Sequence, residues 1–175
     1  MNSSKHIAIC GAGLVGSLLS IYLAKRGYKI TVFERRGDMR KSGYEGGRSI
    51  NLALSNRGIR ALDEVGLAEE MKAVAIPMHG RIMHDVQGNL SFQPYGEQGQ
   101  FINSISRSAL NIVLMNKAEK AGVDFRFEQR ITKVDLEKTT LTSFGSQHLT
   151  VDHKFDLIIG SDGAFSAVRG AMQIT

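Results

Sequence analysis

Residues 5–34 run KHIAICGAGLVGSLLSIYLAKRGYKITVFE, and the fold follows from this stretch. Ile7 to Cys10 form a short apolar, β-rich run, and Lys29 to Phe33 form a second one with β-branched residues at alternate positions. Between them, from about Leu14 to Lys25, comes an amphipathic helix that carries Ser17, Ser20 and Tyr22. Gly11, Gly13 and Gly16 fall at the junction of strand and helix as G-x-G-x-x-G. The three glycines act differently. Gly11 permits a tight turn, Gly13 lets a pyrophosphate approach the backbone, and Gly16 lets helix and strand pack closely. The helix N-terminus then presents amides and a positive dipole end to the anion. Glu34 closes the second strand 18 residues after Gly16, where a carboxylate accepts hydrogen bonds from a ribose diol. The same carboxylate repels a 2′-phosphate, so the pocket favours FAD or NAD over NADP. Arg35 and Arg36 follow directly, placed to pair with phosphate or stack on adenine.

The rest of the chain is consistent with a globular α/β protein. It has 175 residues, 42% apolar and 22% charged, values that suit a packed domain and exclude disorder and fibrous repeats. The formal charge is +5, but Lys25 to Arg60 hold ten basic and three acidic residues. That leaves the remainder slightly acidic, so the charge marks a local site for a compact anion and not a nucleic-acid surface. One cysteine, Cys10, excludes an internal disulfide and a cysteine-based zinc site. Residues 7–24 are uncharged over a length at the lower edge of a bilayer span. Gly11 and Gly13 break that run, however, and no signal-peptide pattern is present, so the expectation is a soluble, cytoplasmic, bacterial protein without a transmembrane segment.

Beyond Glu34, residues 35–47 are polar and glycine-rich and read as a functional loop. A strand is expected over 49–54, then a helix capped by Ser55 with Ile59, Leu62 and Val65 on one face, and a short helix over 67–74. Residues 80–86, 90–95 and 101–105 read as antiparallel strands, the first two joined by Gln87-Gly88-Asn89. A helix from Ser106 to Lys120 follows, then strands at 124–128, 131–134, 139–142, 149–151 and 156–160, and a helix from Ser166. The expected architecture is a Rossmann-like βαβ fold with a parallel sheet, an antiparallel β element and part of an inserted β domain. On this reading residues 1–75 and 104–175 form an incomplete cofactor domain, and 76–103 belong to a substrate element. His79 and His84 lie five apart without a carboxylate cluster, so no metal site is assigned. Cys10 reads as a small buried apolar residue.

Several longer segments carry a resemblance. Residues 46–58 (GGRSINLALSNRG), 76–84 (IPMHGRIMH), 94–96 (PYG) and 105–107 (ISR) occur in this order, and residues 156–169 (DLIIGSDGAFSAVR) follow. Together they resemble the kynurenine 3-monooxygenases, single-component FAD-dependent aromatic hydroxylases, from about residue 5 to residue 170. The glycine and Asp-Gly fingerprints alone are shared with other flavin hydroxylases, epoxidases and reductases, and the glycine fingerprint with non-catalytic dinucleotide-binding modules.

The resemblance implies that Val15, Phe33, Glu34, Arg35 and Arg36 line the adenosine and pyrophosphate end of FAD. It implies that Ala53, Arg107 and Ile131 touch other parts of the cofactor, with Asp162, Gly163 and Ala167 near it. Arg81 and Tyr95 match an arginine and a tyrosine that hold the substrate carboxylate, a guanidinium meeting it bidentately and a phenol adding one directional bond. The implied reaction is NADPH-driven, O₂-dependent hydroxylation of L-kynurenine to 3-hydroxykynurenine, with no catalytic acid or base from the protein. Members of the family are more than twice as long, so the expectation is an N-terminal portion, not competent alone and prone to self-association.

Overall fold

The computed structural model describes residues 4–42, 51–145 and 148–173, which divide between two compact units, residues 1–47 with 111–175 and residues 48–110. Gly43, Gly46, Gly47, Arg48 and the first part of the strand expected at 49–54 lie outside the described residues.

In the first unit, β1 (His6–Cys10), α1 (Leu14–Lys25) and β2 (Lys29–Phe33) build the expected βαβ element. β1 is central in a parallel sheet of order β12-β1-β2-β8, where β8 is Asp124–Arg126 and β12 is Leu157–Gly160. Ile7 faces Ile30 across one ladder and Leu157 across the other. A second, antiparallel sheet has the order β11-β10-β9, from β9 (Gln129–Asp135), β10 (Thr140–Gly145) and β11 (Thr150–Lys154). Alternation sends Ala8, Cys10 and Phe33 to one face of the parallel sheet, into a buried cluster with Val134, Leu141, Phe155 and Val168. Ile7, Ile9 and Val32 point the other way and are equally buried, so both faces of the sheet are covered, as parallel sheets require. α5 (Arg107–Lys120) joins this unit from Asn111 onward, and α6 (Ala167–Gln173) follows β12.

Part of the polar segment 35–47 is helical. α2 (Met39–Ser42) is a single turn, and Arg40 within it forms hydrogen-bonded ion pairs with Asp38 and Glu119. Short polar turns carry no apolar period, which is why the helix left no signal in sequence.

In the second unit, β3 (Asn51–Leu54), β7 (Ile102–Ser106) and β4 (Ile76–Met78) form an antiparallel sheet with β7 in the middle. α3 (Asn56–Asp63) and α4 (Ala68–Val74) lie between β3 and β4 in sequence. β5 (Gly80–His84) and β6 (Leu90–Pro94) form a separate two-stranded sheet. This corrects two expectations. The strand near 101–105 pairs with β3 and β4, not with the hairpin, because alternation fixes which face a strand presents but not its partner. β4 itself was hidden in sequence by Pro77, which is tolerated because β4 is an edge strand. Ser55 occupies the N-cap of α3, but its side chain makes no capping hydrogen bond.

Candidate functional site

The site in the first unit is built around the turn after β1. Gly11 adopts φ +99°, in the left-handed region, and its amide donates to the Phe33 carbonyl at 2.7 Å. A β-carbon at Gly11 would lie 2.6 Å from the Ser161 carbonyl oxygen, and one at Gly16 would overlap the Gly11 carbonyl. Those two glycines are therefore demanded by the protein itself. Gly13 is different: it is the N-cap of α1, with ordinary φ −73°, and nothing lies within 4 Å of where its β-carbon would be. Packing leaves open space at the helix N-terminus, and among the described residues no side chain caps it. Free amides, a dipole end and an open approach fit a pyrophosphate.

Glu34 is held beside this turn. Its Oε2 accepts from the Ala12 amide at 3.0 Å and its Oε1 from the Arg36 amide at 3.0 Å. Residues 34–36 are in turn fixed by backbone bonds to the β8–β9 corner: the Glu34 amide donates to Arg126, and Gln129 and Glu128 donate back to Glu34 and Arg36. A carboxylate offers about four acceptor positions, so about two remain for a ribose diol. Val15 projects from the first turn of α1 and is well exposed, and Arg35 and Arg36 are also exposed.

The other expected cofactor residues are placed in different ways. Phe33 turns its ring into the core against His153 and Phe155, with the Arg126 guanidinium over it, so what it offers the glycine turn is its carbonyl. Ile131 is half-buried against the same cluster. Asp162 and Ala167 meet directly: the Asp162 carboxylate accepts from the Ala167 amide at 2.7 Å and the Ser166 hydroxyl at 2.6 Å, tying down the start of α6. Gly163 makes the turn between them at φ +82°. Burial and, less strongly, the Asp162 charge push the Cys10 thiol up to about 12, which keeps it protonated.

Two residues outside the expected set complete the turn. Ser161 donates its hydroxyl to the carbonyls of Cys10 at 2.8 Å and Gly11 at 3.0 Å, stitching β12 to the glycine turn across 150 residues of sequence. Asn111 of α5 donates to the Ala12 carbonyl at 2.9 Å. The Ser-Asp-Gly run offered a signal for Ser161. No local pattern pointed to Asn111.

The remaining expected residues belong to the second unit. Ala53 is exposed on β3 opposite Ser104, and Arg107 is exposed at the first position of α5. Arg81 on β5 faces Gln93 on β6, and its Nε donates to the Gln93 side chain at 2.8 Å. The ladder continues through the Tyr95 amide bonded to the His79 carbonyl, so Tyr95, two residues past Gln93, is a diagonal neighbour of Arg81 on the same face. Among the described residues, nothing else pairs with the two terminal guanidinium nitrogens. Tyr95 also lines a groove of ≈ 960 Å³ with Arg57, Lys72, Gln100, Phe101 and Asn103. Among the described residues there is no cluster of three or more metal-ligating side chains, and no helix is long and apolar enough to cross a membrane.

Known proteins resemble this chain in sequence and in fold. The chain is 49% identical over 174 residues to the kynurenine 3-monooxygenase of Christiangramia forsetii, covering 99% of this chain and 39% of that protein. It is 48% identical to that of Cytophaga hutchinsonii, covering 94% and 37%. The chain thus spans well under half the length of these relatives. Among solved structures, p-nitrophenol 4-monooxygenase PnpA from Pseudomonas putida DLL-E4 superposes with TM-score 0.81 at 20% identity, covering 98% of this chain and 44% of that one, a likeness of fold. Residues 4–175 match the family described as FAD binding domain, and the chain belongs to that family.

Proposed function

We propose that these residues supply the FAD cradle and the first substrate ligands of an NADPH-using, cytoplasmic flavin hydroxylase that acts on L-kynurenine. The reading is supported by the name the relatives carry at 48–49% identity and, within the structure, by one observation. On the β5–β6 hairpin, Arg81 is anchored through Nε while its terminal nitrogens stay available, with Tyr95 beside it on the same face. An amino-acid carboxylate is planar and matches that pair of nitrogens bidentately, and a phenol adds one directional bond.

FAD, when bound, supplies the redox and oxygen-activating chemistry. The chain's own residues bind and orient. Gly13 and the first amides of α1, including that of Val15, receive the pyrophosphate, while Glu34, with Arg35 and Arg36 beside it, receives the adenosine ribose. Phe33 and Ile131 shape the wall from the core side; Asp162, Gly163 and Ala167 hold the second fingerprint. Ala53 and Arg107 are assigned to the cofactor by the resemblance. Residues 1–75 and 104–175 serve the cofactor, and 76–103 serve the substrate. No acid or base is required, since the aniline nitrogen of kynurenine activates its own ring.

The test uses a protein of the relatives' length that carries this segment. Arg81→Ala should raise the KM for L-kynurenine about 100-fold, as expected for losing a charge-assisted bidentate contact, with FAD content unchanged. An unchanged KM would refute the assignment of Arg81.

A further inference from the structure

The glycine turn is gripped by Asn111, a residue 99 positions away in sequence. The residue is only 8% exposed, and its Nδ2 donates to the Ala12 carbonyl at 2.9 Å and to the Met39 sulfur at 3.4 Å. That bond fixes which way round the amide sits, because the reverse orientation would set two acceptors face to face. Oδ1 is consequently the free end. It is buried and has no hydrogen-bond donor among the described residues. An acceptor left this way forfeits its hydration without compensation, and such an orphan in a folded protein marks a place that a ligand or water completes.

The Ala12 residue is thus held at both ends, its amide by Glu34 and its carbonyl by Asn111 and, at 3.2 Å, by the Ser17 hydroxyl of α1. With that residue locked, the turn cannot rotate to close the open space at Gly13. The pyrophosphate of FAD has only acceptors, so it cannot satisfy Oδ1. The groups flanking the pyrophosphate in the cofactor are hydroxyl-bearing sugar and ribityl carbons, and a hydroxyl is the donor that Oδ1 lacks.

We propose that Asn111 is a positioning residue for FAD, fixing the Ala12 carbonyl so that the glycine turn stays open and accepting a hydrogen bond from a cofactor hydroxyl through Oδ1. This rests on FAD occupying the glycine turn, and the experiment separates the two. A protein of the relatives' length that carries this segment, as wild type, Asn111→Leu and Asn111→Asp, is titrated with FAD by flavin fluorescence between pH 5.5 and 8, with apo Tm measured alongside. Asn111→Leu keeps similar volume while removing both the bond and the orphan, so FAD should bind about tenfold or more weakly with only a small change in apo Tm. Asn111→Asp places a carboxylate against the Ala12 carbonyl at pH 8 and should bind FAD weakly. On acidification its O–H regains the donor, so affinity relative to wild type at the same pH should recover. A purely structural residue would show the same recovery in apo Tm, whereas a residue that meets the cofactor shows it in FAD affinity beyond any change in apo Tm. If wild type binds FAD and both variants bind within threefold of it across the range, or the Asp variant's loss is independent of pH, the inference is overturned. If wild type itself fails to bind FAD, the glycine-turn reading falls and takes this inference with it.

Discussion

The three fingerprint glycines make a sharp prediction because their surroundings differ. Gly13→Ala places a methyl group where no atom lies within 4 Å, on a backbone that any L-residue adopts. In the unliganded protein two small terms oppose each other. Alanine is a poorer N-cap by a few tenths of a kcal/mol or somewhat more, and the loss of glycine freedom in the unfolded chain returns about 0.4–1 kcal/mol. The apo Tm should therefore move by less than about 3 °C. FAD binding should suffer, since the methyl occupies the approach of the pyrophosphate to the α1 amides. Losing one or two charge-assisted bonds of about 1.5–3 kcal/mol each corresponds to about 100-fold in Kd. Gly16→Ala is the contrast: its methyl would overlap the Gly11 carbonyl, a backbone atom that moves only if the turn moves, so stability should fall by about 2 kcal/mol or more. Apo Tm by thermal denaturation and FAD affinity by flavin fluorescence quenching measure both arms. A Gly13→Ala protein that binds FAD within threefold of wild type, or that melts as low as Gly16→Ala, would refute the reasoning.

Two further predictions concern the same unit. Because Cys10 is fully buried and its thiol is pushed up to about 12, only about one thiol in ten thousand is ionised at pH 8; iodoacetamide should label the native chain negligibly and the urea-unfolded chain once, and rapid stoichiometric labelling of native protein would contradict the buried placement. The Arg40 guanidinium holds the Asp38 carboxyl below the usual carboxylate range, and the two side chains are only 17% and 10% exposed. A group whose folded value lies below its unfolded one contributes fully above the unfolded value and loses that contribution as pH falls through the folded one. Asp38→Asn should thus cost about 1 kcal/mol at pH 7, with the difference from wild type closing as the pH falls below the ordinary carboxylate value of about 3.9; a difference that stays constant on acidification would exclude the pairing as its source.

How much was legible in the sequence depended on how local each cause is. The bounds of α1 and β2 were read to the residue, because apolar period and the flanking glycines act within a few positions. The glycines themselves were legible for the same reason: a left-handed turn and a close crossing are written in the residue that permits them. Pairing between strands was less so. β7 has the right alternation for several partners, and nothing within residues 101–106 says that Leu52 will lie opposite Ile105 and Pro77 opposite Asn103. The Arg81 and Tyr95 pair was placed by resemblance, and the hairpin register shows why 14 residues of separation bring them to one face.

The residues missed at the site share one physical feature: each acts through a bond to a backbone carbonyl far away in sequence. Ser161 reaches Cys10 and Gly11, and Asn111 reaches Ala12. Carbonyls have no side-chain identity, so the receiving end of such a bond leaves no residue-type signature, and the donating end is an ordinary serine or asparagine in a strand end or helix. Glu34 was found because its ligand is polar in a known way and its position at a strand end is periodic, yet its bond to the Ala12 amide, which orients the carboxylate, was as invisible as the other two. A dinucleotide turn is therefore specified in two layers. Its shape is local, fixed by Gly11 and Gly16 against backbone they would otherwise strike. Its orientation is global, set by Ser161, Asn111 and Glu34 arriving from three other elements, and substitutions in that second layer should shift ligand affinity more than they shift the secondary structure.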